Sequence, residues 1–200
     1  MGVISNGTTL IDNGALDPAV PTGSLILLST QTASASADIS FTTGIDSTYD
    51  SYVFKCIDMH PATDNVDFQF NLSTDGGANY NVTKTTTFFT AFHDEADTNA
   101  NFGYDTTGDL AQSTNFQNLS FDGGNGADES VSGTLTLFNP SSTTFVKHFI
   151  ATTNSLSDGD YTINSYVAGY GNTTSAINAI QFIMSSGNID AGTIKMYGVK

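Results

Sequence analysis

Short segments with a two-residue hydrophobic period recur along this 200-residue chain, and turn-forming residues separate them. The clearest example lies near the end, where Ile180, Phe182 and Met184 alternate with residues that would face the other way. Successive side chains of a strand point to opposite faces, so this pattern predicts strands that bury one face. About ten such segments indicate an all-β fold, an antiparallel β-sandwich or jelly roll.

The predicted strands lie in residues 24–200. In chain order they are 24–33, 38–41, 51–60, 66–73, 82–92, 115–121, 130–139, 144–153, 160–170 and two strands within 176–200. The Gly-rich turn within 73–81 and the turn between the last two strands both predict β-hairpins. The final strand, which contains Ile194 and Met196, is expected to pair inside a sheet.

Two segments carry more specific expectations. Residues 51–60 predict a central strand, because both faces lean towards apolar; the alternation puts Met59 on the same side as Val53. Residues 93–113 show little periodicity, which predicts a long loop, and long loops in compact domains are usually functional or contact something.

The chain divides at about residue 23. Residues 1–23 contain scattered Gly, Asn and Pro with isolated apolar residues and no sustained period, which predicts an extended N-terminal arm. Because a disordered tail is usually poorer in aliphatic residues, we expect this arm to pack across another subunit. Residues 24–200 then form a single β-sandwich domain.

The charge balance is strongly acidic: 20 acidic residues stand against five basic ones, and the net charge is −15. Such a chain would repel phosphates, so we expect neither a nucleic acid nor an anionic membrane as a partner. The first residues lack the basic and apolar segments of a secretion signal, and no stretch is long enough to span a membrane. One cysteine excludes an internal disulfide framework.

Three histidines, the cysteine and one acidic loop are the candidates for chemistry. His60, His93 and His148 are far apart in sequence; the acidic neighbours of His93 (Asp94, Glu95 and Asp97) resemble a metal cluster, but a solvated acidic loop is the preferred interpretation. We interpret Cys56 as a buried structural thiol. The loop Asp122–Glu129 offers oxygen ligands to a hard cation, yet it does not follow the EF-hand spacing, so an ordinary loop is preferred.

Neither sugar binding nor glycoside hydrolysis has a strong signal. Five tyrosines could form a sugar-stacking face, although aromatic residues on strands are more often core: they are Tyr80, Tyr104, Tyr161, Tyr166 and Tyr170. A glycosidase needs two placed carboxylates, and none stands out among the many Asp residues. We therefore predict no catalytic residues, no cofactor and no metal ligands, and we expect that the chain is not an enzyme.

Several segments together carry a family resemblance. They are MGVISNGTTLIDNGAL, the run from GSLILLSTQ to VDFQF, STDGGANYNVTKTTT, FNPSSTTFVKHF and SSGNIDAGTIKMYGVK. The chain resembles small β-rich virion proteins of marine tailed bacteriophages over nearly its whole length. The recurrent ending, with Gly192, Ile194, Tyr197 and Gly198, is a packing pattern, so no catalytic residue carries over.

The resemblance implies a virion structural protein that assembles in the host bacterial cytoplasm. One role is a capsid decoration (cement) protein, a homotrimer on the head whose partners are the major capsid protein and copies of itself. The alternative is a tail fibre or receptor-binding module, in which residues 93–113 and the tyrosine-rich edges contact host glycans. A tail-associated polysaccharide hydrolase is a third interpretation, and it lacks a recognisable acid/base pair.

Overall fold

The computed structural model describes residues 3–5, 7–12, 15–16 and 25–200, and every regular element in these residues is a β-strand. In chain order the strands are β1 Val3–Ser5, β2 Thr8–Asp12, β3 Ala15–Leu16, β4 Ile26–Thr32, β5 Ile39–Phe41, β6 Ser51–Pro61, β7 Phe68–Ser73, β8 Lys84–Asp94, β9 Ala100–Tyr104, β10 Gln117–Asn118, β11 Val131–Phe138, β12 Lys147–Leu156, β13 Tyr161–Gly171, β14 Ala179–Met184 and β15 Ile189–Val199. No helix in the described residues is long and apolar enough to cross a membrane.

Twelve of these strands build two antiparallel sheets. The larger has eight strands in the order β4-β15-β6-β11-β12-β13-β8-β9, and the smaller has four in the order β10-β7-β14-β5. The predicted all-β antiparallel sandwich is therefore confirmed. The central position of β6 is also confirmed, since it lies between β15 and β11, and β15 is paired on both sides as expected.

The core lies between the sheets and is rich in phenylalanine. Phe182 of β14 lies at its centre, with ring centroids 5.8 Å from Phe68 and 5.7 Å from Phe54 of the opposite sheet. Phe70 of β7 packs edge-on against Phe149 of β12 at 5.0 Å. These contacts join the sheets face to face, and aromatic pairs at such distances add to the free energy gained by burying the rings.

Both predicted hairpins are wrong in their pairing. Strands β14 and β15 are neighbours in sequence but belong to different sheets, as do β7 and β8 on either side of the 73–81 turn. The turn residues marked places where the chain reverses, but a reversal can cross to the opposite sheet as well as pair locally. The same four residues that could close a hairpin, Ser185–Asn188, instead carry the chain across the sandwich.

A β-bulge corrects the predicted face of Met59. Asp58 has a positive φ of 51°, and the ladders on both sides of β6 shift register near it. The extra residue reverses the alternation, so Met59 is completely buried whereas Val53 lies on the outer side. A regular two-residue period cannot anticipate this reversal.

Residues 93–113 are more ordered than predicted. Ala100–Tyr104 forms β9, which pairs with β8 as a hairpin at the edge of the larger sheet. The predicted strand over 115–121 shrinks to the two residues of β10. In the arm, the described residues form a small antiparallel sheet, β1-β2-β3, where the sequence showed no period.

Candidate functional site

The 122–129 loop uses its polar groups to hold its own shape. The Glu129 carboxylate accepts a hydrogen bond from the Gly126 backbone N–H, and Asp64 accepts one from the Asn125 N–H at 3.2 Å. His60 lies beside it, with Nε2 at 3.0 Å from the Gly126 carbonyl and Nδ1 at 3.9 Å from an Asp190 carboxylate oxygen. In the described residues no group of three or more His, Cys, Asp or Glu side chains could hold a metal ion.

The acidic cluster around His93 is a capped turn. The Thr98 hydroxyl donates a hydrogen bond to the Asp94 carboxylate, and the backbone N–H groups of Asn99 and Thr98 donate two more at 2.9 and 2.8 Å; these bonds lower the pKa of the Asp94 carboxyl group. His93 and Asp97 meet on the surface at 3.1 Å. Asp94 therefore stabilises the β8–β9 hairpin, as aspartates do when they hydrogen-bond to the turn that follows them.

Cys56 is buried as predicted. Only 3% of the residue is exposed, and burial raises the pKa of its thiol to about 12. Since the thiolate is the reactive form, this thiol is inert at neutral pH. His148, by contrast, lies on the outer side of β12 beside Tyr170, with ring centroids 6.1 Å apart.

Four aspartates that sequence reasoning did not connect approach one another. Burial raises the pKa of Asp67, and the charges of Asp122 and Asp105 raise it further; burial, Asp158 and Asp105 do the same for Asp122. Asp67 accepts hydrogen bonds from the Asn118 side chain at 2.9 Å and from the Asp122 backbone N–H at 3.4 Å. Only folding brings residues so distant in sequence together. The hydrogen bonds that Asp67 accepts indicate a structural role for its carboxylate.

The outer face of the eight-stranded sheet is its side turned away from the four-stranded sheet. Strand register places outward side chains in two long rows across it. The first row is Thr30, Lys195, Lys55, Thr134, Thr152, Tyr166, Phe89 and Tyr104. The second row is Leu27, Tyr197, Val53, Thr136, Ile150, Ala168 and Thr87.

Neither row contains an acidic residue, although the chain carries 20 of them. Among the described residues, acidic side chains flank the two rows: Asp58 meets Ser132, Asp190 lies near His60, Asp97 meets His93, and Asp109 accepts a 2.6 Å hydrogen bond from Tyr104. The rows instead combine threonine, apolar side chains and two lysines. A surface without acidic groups on so acidic a protein is a candidate interaction surface.

The outer face also carries two of the three lysines that are not buried, the third being Lys200. Two of the five lysines, Lys84 and Lys147, are buried, and burial lowers the pKa of both. Lys55 and Lys195 lie directly opposite each other in the β6–β15 ladder, and Lys55 also covers the Tyr197 ring at 5.4 Å. Like charges in directly opposed positions repel, so this pair favours an anionic group above it.

An aromatic cluster occupies the β8–β9 edge of the same face. Tyr166 stacks on Phe89 with centroids 5.0 Å apart, and Phe102 meets Phe89 edge-on at 5.6 Å. Phe102 is 67% exposed and Tyr104 is 55% exposed. Of the five predicted tyrosines, Tyr104, Tyr166 and Tyr170 lie on this face, whereas the Tyr80 hydroxyl is buried without a partner among the described residues.

Comparison of the chain with protein-family models, with curated proteins and with solved structures found no match. The likeness to phage virion proteins therefore stays a prediction.

Proposed function

We propose that the chain is a structural protein of a bacteriophage virion, a capsid decoration protein that docks on the head as a symmetric oligomer and stabilises it. Its partners are the major capsid protein and copies of itself, in a homotrimer. It assembles in the host bacterial cytoplasm and remains on the capsid surface.

The observation that carries this proposal is the outer face of the eight-stranded sheet. A decoration protein acts mechanically, because contacts between its own copies and with the capsid add interface area that opposes the pressure of packed DNA. That task needs a broad, rigid surface with little repulsion. Eight hydrogen-bonded strands supply the rigidity, and two rows without acidic residues avoid the repulsion that a net charge of −15 would otherwise cause.

The sequence resemblance supports the same proposal. The recurrent ending of the resembled group has a packing explanation here: Ile194 is fully buried, and a Cβ atom on Gly198 would clash with the Tyr49 ring. The ending thus maintains the position of β15 between β4 and β6, where it contributes Lys195 and Tyr197 to the outer face.

The test is immunogold electron microscopy of intact phage particles that contain the protein. Gold spread evenly over the heads is the expected result, with pre-immune serum as the control. Gold confined to the tail would overturn the decoration proposal. Unlabelled particles, with the epitope shown to be accessible, would overturn the virion assignment altogether.

The second candidate is a tail fibre or receptor-binding module that contacts host glycans. The observation in its favour is the exposed aromatic cluster of Phe102, Tyr104, Phe89 and Tyr166, because sugar rings stack on exposed aromatic side chains. Under this candidate the protein binds a glycan from the host envelope, and the Phe102→Ala variant loses that binding. The Phe145→Ala variant is the matched control, since Phe145 is 70% exposed in the β11–β12 connection, outside the cluster.

A further inference from the structure

We propose that the outer face of the eight-stranded sheet receives the N-terminal arm, residues 1–23, of a second copy of this chain. The inference deepens the proposed function and rests on its self-assembly, but it does not depend on whether the oligomer occupies the head or the tail. It assigns the arm a receiving surface and assigns the two outward lysines a partner.

Exposed apolar side chains are the first reason. In the second row Leu27 is 53% exposed and Ile150 is 54% exposed, and Phe138 near the end of β11 is 40% exposed. Two apolar residues of the arm are also exposed to water, Ile4 at 65% and Ile11 at 37%. A single chain thus leaves two apolar surfaces in water, and contact between them would bury both.

Charge complementarity is the second reason. Among the described residues, no carboxylate lies within 4 Å of Lys55 or Lys195. The two ion pairs in this part of the chain each join a histidine to an aspartate. The arm has the complementary composition: residues 1–23 contain Asp12 and Asp17 and no lysine. An apolar segment with two acidic groups therefore matches an apolar face with two lysines.

The position and length of the arm make the contact possible. The arm leads into β4, whose outward Leu27 begins the second row next to Tyr197. Eight strands at a spacing of about 4.8 Å make the sheet roughly 34 Å wide. The described arm residues fold into β1-β2-β3, and the nine residues between Leu16 and Ile26 can span at most roughly 35 Å, so the small sheet can reach the eight-stranded sheet of a neighbour.

Two copies meeting by the same face would not satisfy the lysines. A two-fold contact between outer faces supplies no carboxylate from the two rows, and it adds repulsion where its axis passes near Lys55 and Lys195. Insertion of the acidic arm avoids that repulsion. Successive insertion around a closed ring would also produce the symmetric oligomer of the proposed function.

The experiment measures self-association of the full-length chain by size-exclusion chromatography with light scattering over a dilution series. The variants are K55E/K195E, D12K/D17K and the combination of all four substitutions, which restores the wild-type net charge. A control, T106E/T143E/K200E, makes the same total charge change as K55E/K195E but away from the two rows; Thr106 and Thr143 are exposed loop residues and Lys200 ends the chain. Thermal melts check that every variant is folded.

We expect the wild type to be oligomeric and each double variant to associate at least about a hundredfold more weakly, because opposed like charges cost several kcal/mol. The four-substitution variant should regain the wild-type association, and the control should keep it. A monomeric wild type, an unaffected K55E/K195E variant or a failed rescue would each overturn the inference. So would an equal loss in the control, which would indicate a general charge effect.

These outcomes are independent of the immunogold result. If the charge rescue succeeds and phage particles carry no gold, the arm contact stands and the virion assignment fails. If gold covers the heads and the four-substitution variant does not regain association, the virion assignment stands and the arm contact fails.

Discussion

Lys84 donates a 2.5 Å hydrogen bond from its Nζ to the Asn71 side-chain oxygen, and both residues are completely buried. A second bond, at 2.9 Å, reaches the Val82 carbonyl. Burial lowers the pKa of Lys84 to about 7, since hydrogen bonds to neutral groups replace water incompletely. Across β13, Gly171 separates Lys84 from the second buried lysine, Lys147.

This burial predicts a pH dependence of stability. A lysine in the unfolded chain keeps a pKa near 10.5, so between pH 7 and 10.5 the unfolded state binds more protons and the free energy of unfolding rises with pH. Below about pH 7 both states are protonated and the full cost of burying the charge remains. In Lys84→Met, urea denaturation should show a rise that is shallower by up to about 1.4 kcal/mol per pH unit.

The outward Lys195→Met variant is the control for this measurement, and its curve should parallel the wild type. Parallel curves for wild type and Lys84→Met would contradict the prediction. The remaining rise in Lys84→Met is expected to come from Lys147, whose pKa burial also lowers.

Gly192 and Asp58 occupy facing irregularities in β15 and β6, which predicts a strict requirement for glycine. The φ of Gly192 is +123°, and a Cβ atom there would lie 2.7 Å from the Asp58 carbonyl oxygen. Gly192→Ala should lower the free energy of unfolding by about 2 kcal/mol or more. Gly103→Ala is the matched control, because nothing lies within 4 Å of its Cβ position, and its effect should stay within about 0.5 kcal/mol. Equal effects would contradict the bulge geometry.

Phe182 is the centre of the phenylalanine core. Its ring is within 6.5 Å of four others, those of Phe41, Phe54, Phe68 and Phe70. Phe182→Ala should destabilise the fold by about 3 to 5 kcal/mol in chemical denaturation, because it leaves a cavity that rigid rings cannot fill. The adjacent Ile183, on the opposite side of β14 and only partly buried, should lose less than half as much when changed to alanine. A similar loss at both positions would mean that β14 does not bury one face.

Asp122 should be replaceable with a gain in stability. Burial and the charges of Asp158 and Asp105 raise the pKa of its carboxyl group, so the folded state binds its proton more tightly and pays a cost once pH exceeds that pKa. Asp122→Asn should raise the melting temperature at pH 7 and have no such effect near pH 3, where the carboxyl is protonated in both states. The gain should be below about 1 kcal/mol, because the carboxyl is only partly buried: the residue as a whole is exposed, and water screens the repulsion. Asparagine also tolerates its φ of 50°.

Most of the strands could be predicted from the sequence. The alternation of Phe68, Phe70 and Leu72 is local information, and all three side chains are completely buried. The alternation alone places Met59 on the wrong face of β6, because a bulge at Asp58 inserts a residue into the two-residue period. The pairing of β14 and β15 was misjudged for another reason: turn residues specify that the chain reverses, and the packing of the two sheets decides which partner it meets.

The candidate interaction surface needed the tertiary structure. The sequence by itself determined an acidic chain with five lysines and an all-β fold. It also determined which side chains of most strands face inward, because a two-residue period is a property of neighbouring residues. Only the tertiary structure decided that two lysines are buried while Lys55 and Lys195 oppose each other on a face whose two rows lack acidic residues. The partners in those rows are up to 170 residues apart, as Leu27 and Tyr197 are in the β4–β15 ladder, and strand order alone brings them together.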